Sequence, residues 1–168
     1  MSGWWPFNKK KETQTVTSAG LQAAEAALRQ EIEQGLANGR SRQALFNQIE
    51  QEALALEKEP PTAPNKARLY ALDTLHAELK NQLMGSLSQG KALEMAGQVD
   101  EAVGYYETAV ADQVASRFPY EHLRVIYVRR KQYAEALRVC QAALANPFLD
   151  EKAQAHFQTW AERLEMRD

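Results

Sequence analysis

The feature that most constrains the fold of this chain is a segment that occurs twice. AGQVDEAVGYYETAV, residues 96–110, has a weaker counterpart in RKQYAEALRVCQAAL, residues 130–144. Each copy reads as a turn, then an acidic residue, then an alanine-rich amphipathic helix. Ala102 opens the first helix and Ala136 opens the second, an offset of 136 − 102 = 34. A fixed offset of this size is typical of chains that stack one supersecondary unit on the next, so we predict a structural repeat.

The residue types favour helices along the whole chain. Ala, Leu, Gln, Glu, Lys and Arg dominate, and these are strong helix formers. No stretch shows the sustained alternation of apolar and polar residues that predicts a strand. We therefore predict an all-α protein built from antiparallel helical hairpins stacked in a short array.

Helix breakers divide the chain into segments. Asn38 and Gly39 end a first helix that begins near Ala19, and Ser41 can cap a second helix, which should pack back on the first as a hairpin. Three prolines in EPPTAPN, residues 59–65, indicate a linker. The predicted divisions are a flexible aromatic and basic tail (1–17), an N-terminal helical hairpin (18–58), a Pro-rich linker (59–66), a repeat region (67–148) and a capping helix (149–168).

The apolar pattern between residues 66 and 96 leaves one question open. Leucines give it a continuous stripe that runs on through Gly85 and Ser86 toward Met95. The pattern fits one long helix as well as two helices separated by a kink.

The two units carry a recognisable residue pattern. The second reads Tyr120-x2-Leu123-Arg124-x2-Tyr127, then Ala136-x3-Cys140-x2-Ala143, with Pro147 close behind. The first reads Ser86-x2-Gln89-Gly90-x2-Leu93, then Ala102-x3-Tyr106-x2-Ala109. This chain resembles the tetratricopeptide repeat (TPR) family over about residues 83–148, with the helix at 149–167 as a cap. The resemblance implies a short TPR-like α-solenoid of two repeats.

The resemblance also implies which side chains pack where helices cross. Small residues should stand at the crossings and large residues should fill the spaces beside them. The predicted packing residues are Gly90, Ala102, Tyr106, Ala109, Tyr127, Ala136, Cys140 and Ala143. The chain departs from the family pattern at Arg124, which replaces a glycine, and at Ser86 and Gln89, which replace large apolar residues. An array of α-hairpins without repeat ancestry is the alternative.

Members of this family bind a peptide or a helix in a concave groove lined by the first helix of each unit. By resemblance, that groove would be lined by Leu87, Lys91, Met95, Phe118, His122, Val125 and Arg129. This mixture of apolar and positive side chains favours an amphipathic helix or a mixed peptide. It lacks the asparagine-and-lysine clamp that some members use for a C-terminal carboxylate. The alternative occupant is an N-terminal segment of the same chain.

Other function classes find little support in the residues. A net charge of −2 argues against nucleic acid as the partner. GSLSQGKA, residues 85–92, has the spacing of a phosphate-binding loop, but Ala92 replaces the magnesium-binding hydroxyl and a helical stripe precedes the loop where a strand is required. The three histidines have no second ligand at metal-binding spacing. We expect no catalytic site, no cofactor and no metal.

The first eleven residues, MSGWWPFNKKK, combine three aromatic side chains with three lysines. Exposed aromatic clusters usually mark interaction sites, so Trp4, Trp5 and Phe7 form a predicted docking tip for a protein. Contact with an anionic membrane surface and folding back on the chain's own helices, in the same or a neighbouring copy, are the alternatives.

The sequence therefore predicts a non-catalytic adaptor or assembly factor with a protein partner. The alternatives are a structural subunit joined to an assembly through the aromatic tip, and a peripheral membrane protein using that tip. The N-terminal hairpin could provide self-association. A single cysteine and the lack of a secretion signal predict a cytoplasmic location.

Overall fold

The computed structural model describes residues 15–167, and these residues form helices without any strand. The expected all-α fold is confirmed. The helices of this part of the chain are α1 (Ser18–Ala37), α2 (Arg42–Leu56), α3 (Ala63–Met95), α4 (Val99–Ala111), α5 (Phe118–Arg129), α6 (Tyr133–Ala145) and α7 (Glu151–Glu165).

The hairpin of α1 and α2 follows from its end residues. Gly39 takes a φ of 81°, a backbone conformation that a residue without a Cβ adopts freely. Ser41 Oγ accepts a hydrogen bond from the Ala44 N–H at 3.2 Å and so caps α2. The chain thus turns sharply between the two helices.

Helix α3 is one continuous element of 33 residues, which answers the question that the apolar pattern left open. Thr62 caps the helix, and Pro64 lies in its first turn. A proline is tolerated there because the N–H that it lacks would have no partner within the helix. Helix α3 therefore begins inside the segment 59–66, which the sequence predicted as a linker.

Two hydrophobic clusters meet along α3. The N-terminal cluster joins Leu28 of α1 and Ile49 of α2 to α3 as far as Leu79. The second cluster begins on α3 at Leu83 and continues through α4 to α7. Helices α1 and α2 thus pack on the first half of α3 and α4 packs on the second half, while α5, α6 and α7 follow in order. One helix belongs to both cores.

The backbone repeats itself with the offset that separates Ala102 from Ala136. Helices α4 and α6 have the same length of 13 residues, and their first residues, Val99 and Tyr133, are separated by that offset. The last residues of α3 and α5, Met95 and Arg129, are separated by it too. In the turns that follow, Gly97 and Lys131 both take positive φ, 79° and 58°. The starts of α4 and α6 and the turns before them therefore have equivalent backbone conformations.

The predicted packing residues lie in the interior. All eight are buried. They lie on α3, α4, α5 and α6, on the faces that form the larger cluster. No helix between residues 15 and 167 combines the length and the apolar content that crossing a bilayer requires.

Candidate partner groove

The predicted groove residues lie on two helices that the fold brings together. Leu87, Lys91 and Met95 follow one another at intervals of four on the second half of α3. Phe118, His122, Val125 and Arg129 occupy one face of α5. A contact between Glu94 and His122, with 2.6 Å between Oε2 and Nδ1, joins the two faces. This contact links the second half of α3 to α5.

A partly buried hydrogen-bond network lies at the junction of these helices. Glu94 Oε2 also accepts a hydrogen bond from the Tyr106 hydroxyl at 2.7 Å. Burial, together with the Glu94 carboxylate, raises the pKa of Tyr106 well above its ordinary value. The His122 ring stacks on Phe118 with 3.9 Å between ring centroids. Glu94 and His122 are therefore engaged with each other and with their neighbours.

The remaining groove residues differ in how far they reach into solvent. Met95 is 80% exposed, and Met84, three helical turns earlier on α3, is 51% exposed. Leu87 and Phe118 are half-buried because they pack against the larger cluster. Lys91 and Arg129 are exposed. The surface is therefore apolar at its floor, with cationic side chains around it.

The N-terminal hairpin supplies one wall of a cleft beside these residues. The cleft has a volume of about 340 Å³ and opens to solvent. Leu83, Met84 and Leu87 of α3 line one side, Phe46 of α2 lines another, and Val114 comes from the α4–α5 connection. We refer to this cleft as the α2–α3 cleft. Its volume falls within the range of roughly 300–1,000 Å³ found for ligand-binding sites.

Polar contacts hold the α2–α3 cleft in shape. The Gln43 N–H donates to the Asp112 carbonyl at 3.1 Å, and the Gln43 side-chain oxygen accepts from the Ala115 N–H at 3.1 Å. Arg42 Nη1 lies 2.5 Å from Asp112 Oδ1. These bonds tie the start of α2 to the α4–α5 connection. The cleft is therefore formed before anything binds, which limits the ordering cost of binding.

The sequence did not predict the contribution of α2 to this surface. A local signal for it exists in the pair Leu45 and Phe46. Adjacent apolar residues on a helix point about 100° apart, so they cannot both face one narrow core. Leu45 is buried in the N-terminal cluster, while Phe46 is half-buried and packs against both clusters.

The histidines each lie beside a glutamate. His122 contacts Glu94, and His156 Nε2 lies 2.8 Å from Glu121 Oε2. His76 Nε2 lies 3.9 Å from Glu50 Oε1. Within residues 15–167, no three His, Cys, Asp or Glu side chains are grouped closely enough to hold a metal ion.

The predicted docking tip, Trp4, Trp5 and Phe7, lies outside the described residues.

Comparisons of this chain with models of protein families, with curated proteins and with solved structures found no match.

Proposed function

We propose that this chain is a non-catalytic adaptor or assembly factor with a TPR-like array. In this proposal a peptide or a helix of a protein partner binds along α3 and α5. The observation that carries the proposal is the α2–α3 cleft, which is apolar, open to solvent and lined in part by Leu87 of the predicted groove. A cleft of this kind, held open by hydrogen bonds, is typical of a binding site for apolar side chains.

The repeated spacing of helix ends and turns supports the TPR-like part of the proposal. Repeated hairpins of this length stack with their first helices side by side, and the surface of those helices is where TPR arrays hold their partners. The exposed Met84 and Met95 support the binding role, because large exposed apolar side chains on one face often mark interaction sites. We also propose a cytoplasmic location, with which a single buried cysteine agrees.

The test of this function is capture of a partner from the native cell extract by the full chain, followed by mass spectrometry. A chain with Val125→Glu and Arg129→Glu places negative charge on the α5 face. The control is Leu54→Asp, at a 49% exposed apolar residue on α2 that lies away from the α5 face. Circular dichroism must first show that every variant is folded.

We expect the wild type and the Leu54→Asp variant to capture the same protein, and we expect the α5 variant to fail to capture it. The captured protein, once purified, should bind the wild-type chain directly. Equal capture by the α5 variant would contradict the proposal. A chain lacking residues 1–12 tests the alternatives, because capture or liposome binding that depends on the tip alone would favour a connector or a peripheral membrane protein.

A further inference from the structure

We propose that the partner segment is an acidic amphipathic helix whose apolar side chains enter the α2–α3 cleft. This inference rests on the proposed function, because it names the chemistry of the partner that the same surface would bind. Three features carry it: the apolar lining, the distribution of charge around the cleft, and the charge of the chain's own N-terminal sequence.

The lining of the cleft favours a helix over an extended peptide. Its walls are mainly the side chains of Phe46, Leu83, Met84, Leu87 and Val114. An extended peptide would leave its backbone N–H and C=O groups without partners against such walls, at a cost of about 1–3 kcal/mol for each buried group. A helix satisfies those groups internally and presents only side chains to the cleft.

The cations near the cleft have no acidic partner in the described part of the chain. Lys80 lines the cleft, and Lys91 follows on the same face of α3, one helical turn beyond Leu87. Among residues 15–167, no carboxylate lies within ion-pair distance of these two side chains. Their charge is therefore available to a partner.

The acidic residues nearby are already engaged. Glu94 is held by His122 and Tyr106. Glu121 contacts Arg124 and His156. The chain has a net charge of −2 as a whole, yet Lys80 and Lys91 on this face form no ion pair with a carboxylate among residues 15–167. Charge complementarity therefore selects an acidic partner.

The N-terminal segment of the same chain is a poor match for this surface. Residues 1–14 contain Lys9, Lys10 and Lys11 but one acidic residue, Glu12. A segment with net positive charge would be repelled by Lys80 and Lys91. A separate acidic helix meets no such repulsion.

A displayed peptide library tests this inference and does not require the natural partner. Each peptide carries leucines at the i, i+3, i+4 and i+7 positions of a helix, and its other positions are randomised among Glu, Lys, Gln and Ala. The library is selected against the full-length chain, and recovered peptides are synthesised with a fluorescent label. Each is paired with a copy in which every Glu is replaced by Lys.

The expected result is enrichment of Glu over Lys, with the acidic copy binding at least about tenfold more tightly than the basic copy by fluorescence anisotropy. This difference should shrink between about 50 mM and about 500 mM salt, because salt screens exposed charges. Met84→Asp should weaken the acidic peptide about tenfold or more, since it places a charge on the apolar lining. Lys91→Glu should weaken it severalfold.

Matched controls separate the cleft from general effects. Leu54→Asp introduces the same charge at a residue of nearly equal exposure, and Lys58→Glu reverses an exposed lysine between α2 and α3. Both should bind the acidic peptide as the wild type does. Unchanged binding by a folded Met84→Asp chain would overturn the assignment to this cleft.

Other outcomes are equally decisive. Recovery of basic peptides, of peptides without charge preference, or of no peptide at all would overturn the acidic-helix inference. The proposed adaptor function is decided separately, by whether the α5 variant loses a natural partner that the wild type captures. Tighter binding after removal of residues 1–12 would show that the chain's own tip competes for the cleft and would contradict the repulsion argued above.

Discussion

The edge of the Tyr106 ring lies directly against the backbone of Gly90. A Cβ atom added to Gly90 would lie 2.5 Å from Tyr106 Cε1, closer than non-bonded carbon atoms approach. The equivalent positions in the next unit, at the offset of the repeat, are Arg124 and Cys140. In the first unit the small residue lies on the first helix and the large residue on the second. In the next unit this order is reversed. Arg124 departs from the family pattern, and this exchange of large and small residues explains how a large side chain is accommodated there.

Gly90→Ala should lower the free energy of unfolding by about 1–3 kcal/mol, because the added methyl group overpacks the crossing of α3 and α4. Gly104→Ala is the control, since a Cβ on Gly104 meets nothing within 4 Å. That change should raise stability by about 0.5–1 kcal/mol through helix propensity. Urea unfolding followed by circular dichroism measures both. If the two variants had equal stability, the close contact with Tyr106 would have no energetic role.

Asn146 should be the most sensitive polar residue in the core. Its side chain is fully buried, and Nδ2 lies within 3.1 Å of the Gln113 and Val114 carbonyls and 2.8 Å from the Tyr120 hydroxyl. Asn146→Leu should lower the free energy of unfolding by about 1–3 kcal/mol, because buried acceptors lose their donor.

The control for this prediction is Asn81→Leu, at an exposed position on α3. Surface changes of this kind usually shift stability by no more than about 0.5 kcal/mol. Thermal and urea unfolding of both variants would check the difference. A small effect at Asn146 would mean that the connection between α6 and α7 tolerates loss of its anchor to the α4–α5 connection.

Acid should weaken the packing of α7 on α5 through Glu121. Burial acts to raise the pKa of this carboxyl, but hydrogen bonds from Arg124 and His156 outweigh it and hold the pKa below the ordinary value of 4.5. A lowered folded-state pKa stabilises the fold above the ordinary pKa, and this stabilisation is lost as pH falls through the folded-state pKa.

The stability advantage of the wild type over Glu121→Gln should therefore be full near neutral pH and should shrink as pH falls from about 5 to about 3. Glu165→Gln, at an exposed residue at the end of α7, should show no such trend. Urea unfolding at a series of pH values measures the effect. An advantage that stays constant with pH would contradict the role of the ionised carboxylate.

The Cys140 thiol should be inert in the native protein. It is fully buried, and burial raises its pKa to about 11. Thiolate is the reactive form, so labelling by a disulfide reagent should require opening of the structure and proceed roughly a thousandfold more slowly than in denaturant.

Absorbance of the released thiolate follows this reaction, and the chain has no other cysteine to interfere. The control carries Cys140→Ala with Ala77→Cys, which places the thiol at an exposed position on α3. That thiol should react at once in the native state. Rapid native labelling of Cys140 itself would show that α6 opens readily.

Most local features of the fold followed from the sequence, because they depend on residues within a few positions of one another. Ser41 caps α2 through the N–H three residues on, and Asn38 and Gly39 end α1 as expected. The spacing of Ala102 and Ala136 likewise reappears as two helices of equal length. Caps, turns and amphipathic periods act within one helical turn, so they can be recognised without the rest of the chain.

Tertiary structure alone decided how α3 and the candidate groove are built. The apolar stripe of α3 fitted one helix or two, and packing of the hairpin on its first half and of α4 on its second half fixed one helix. The α2–α3 cleft depends on bonds between residues far apart in the chain, such as Arg42 with Asp112, 70 residues on. The energy of such contacts depends on which surfaces the packed helices bring together, and no spacing within the sequence encodes that arrangement.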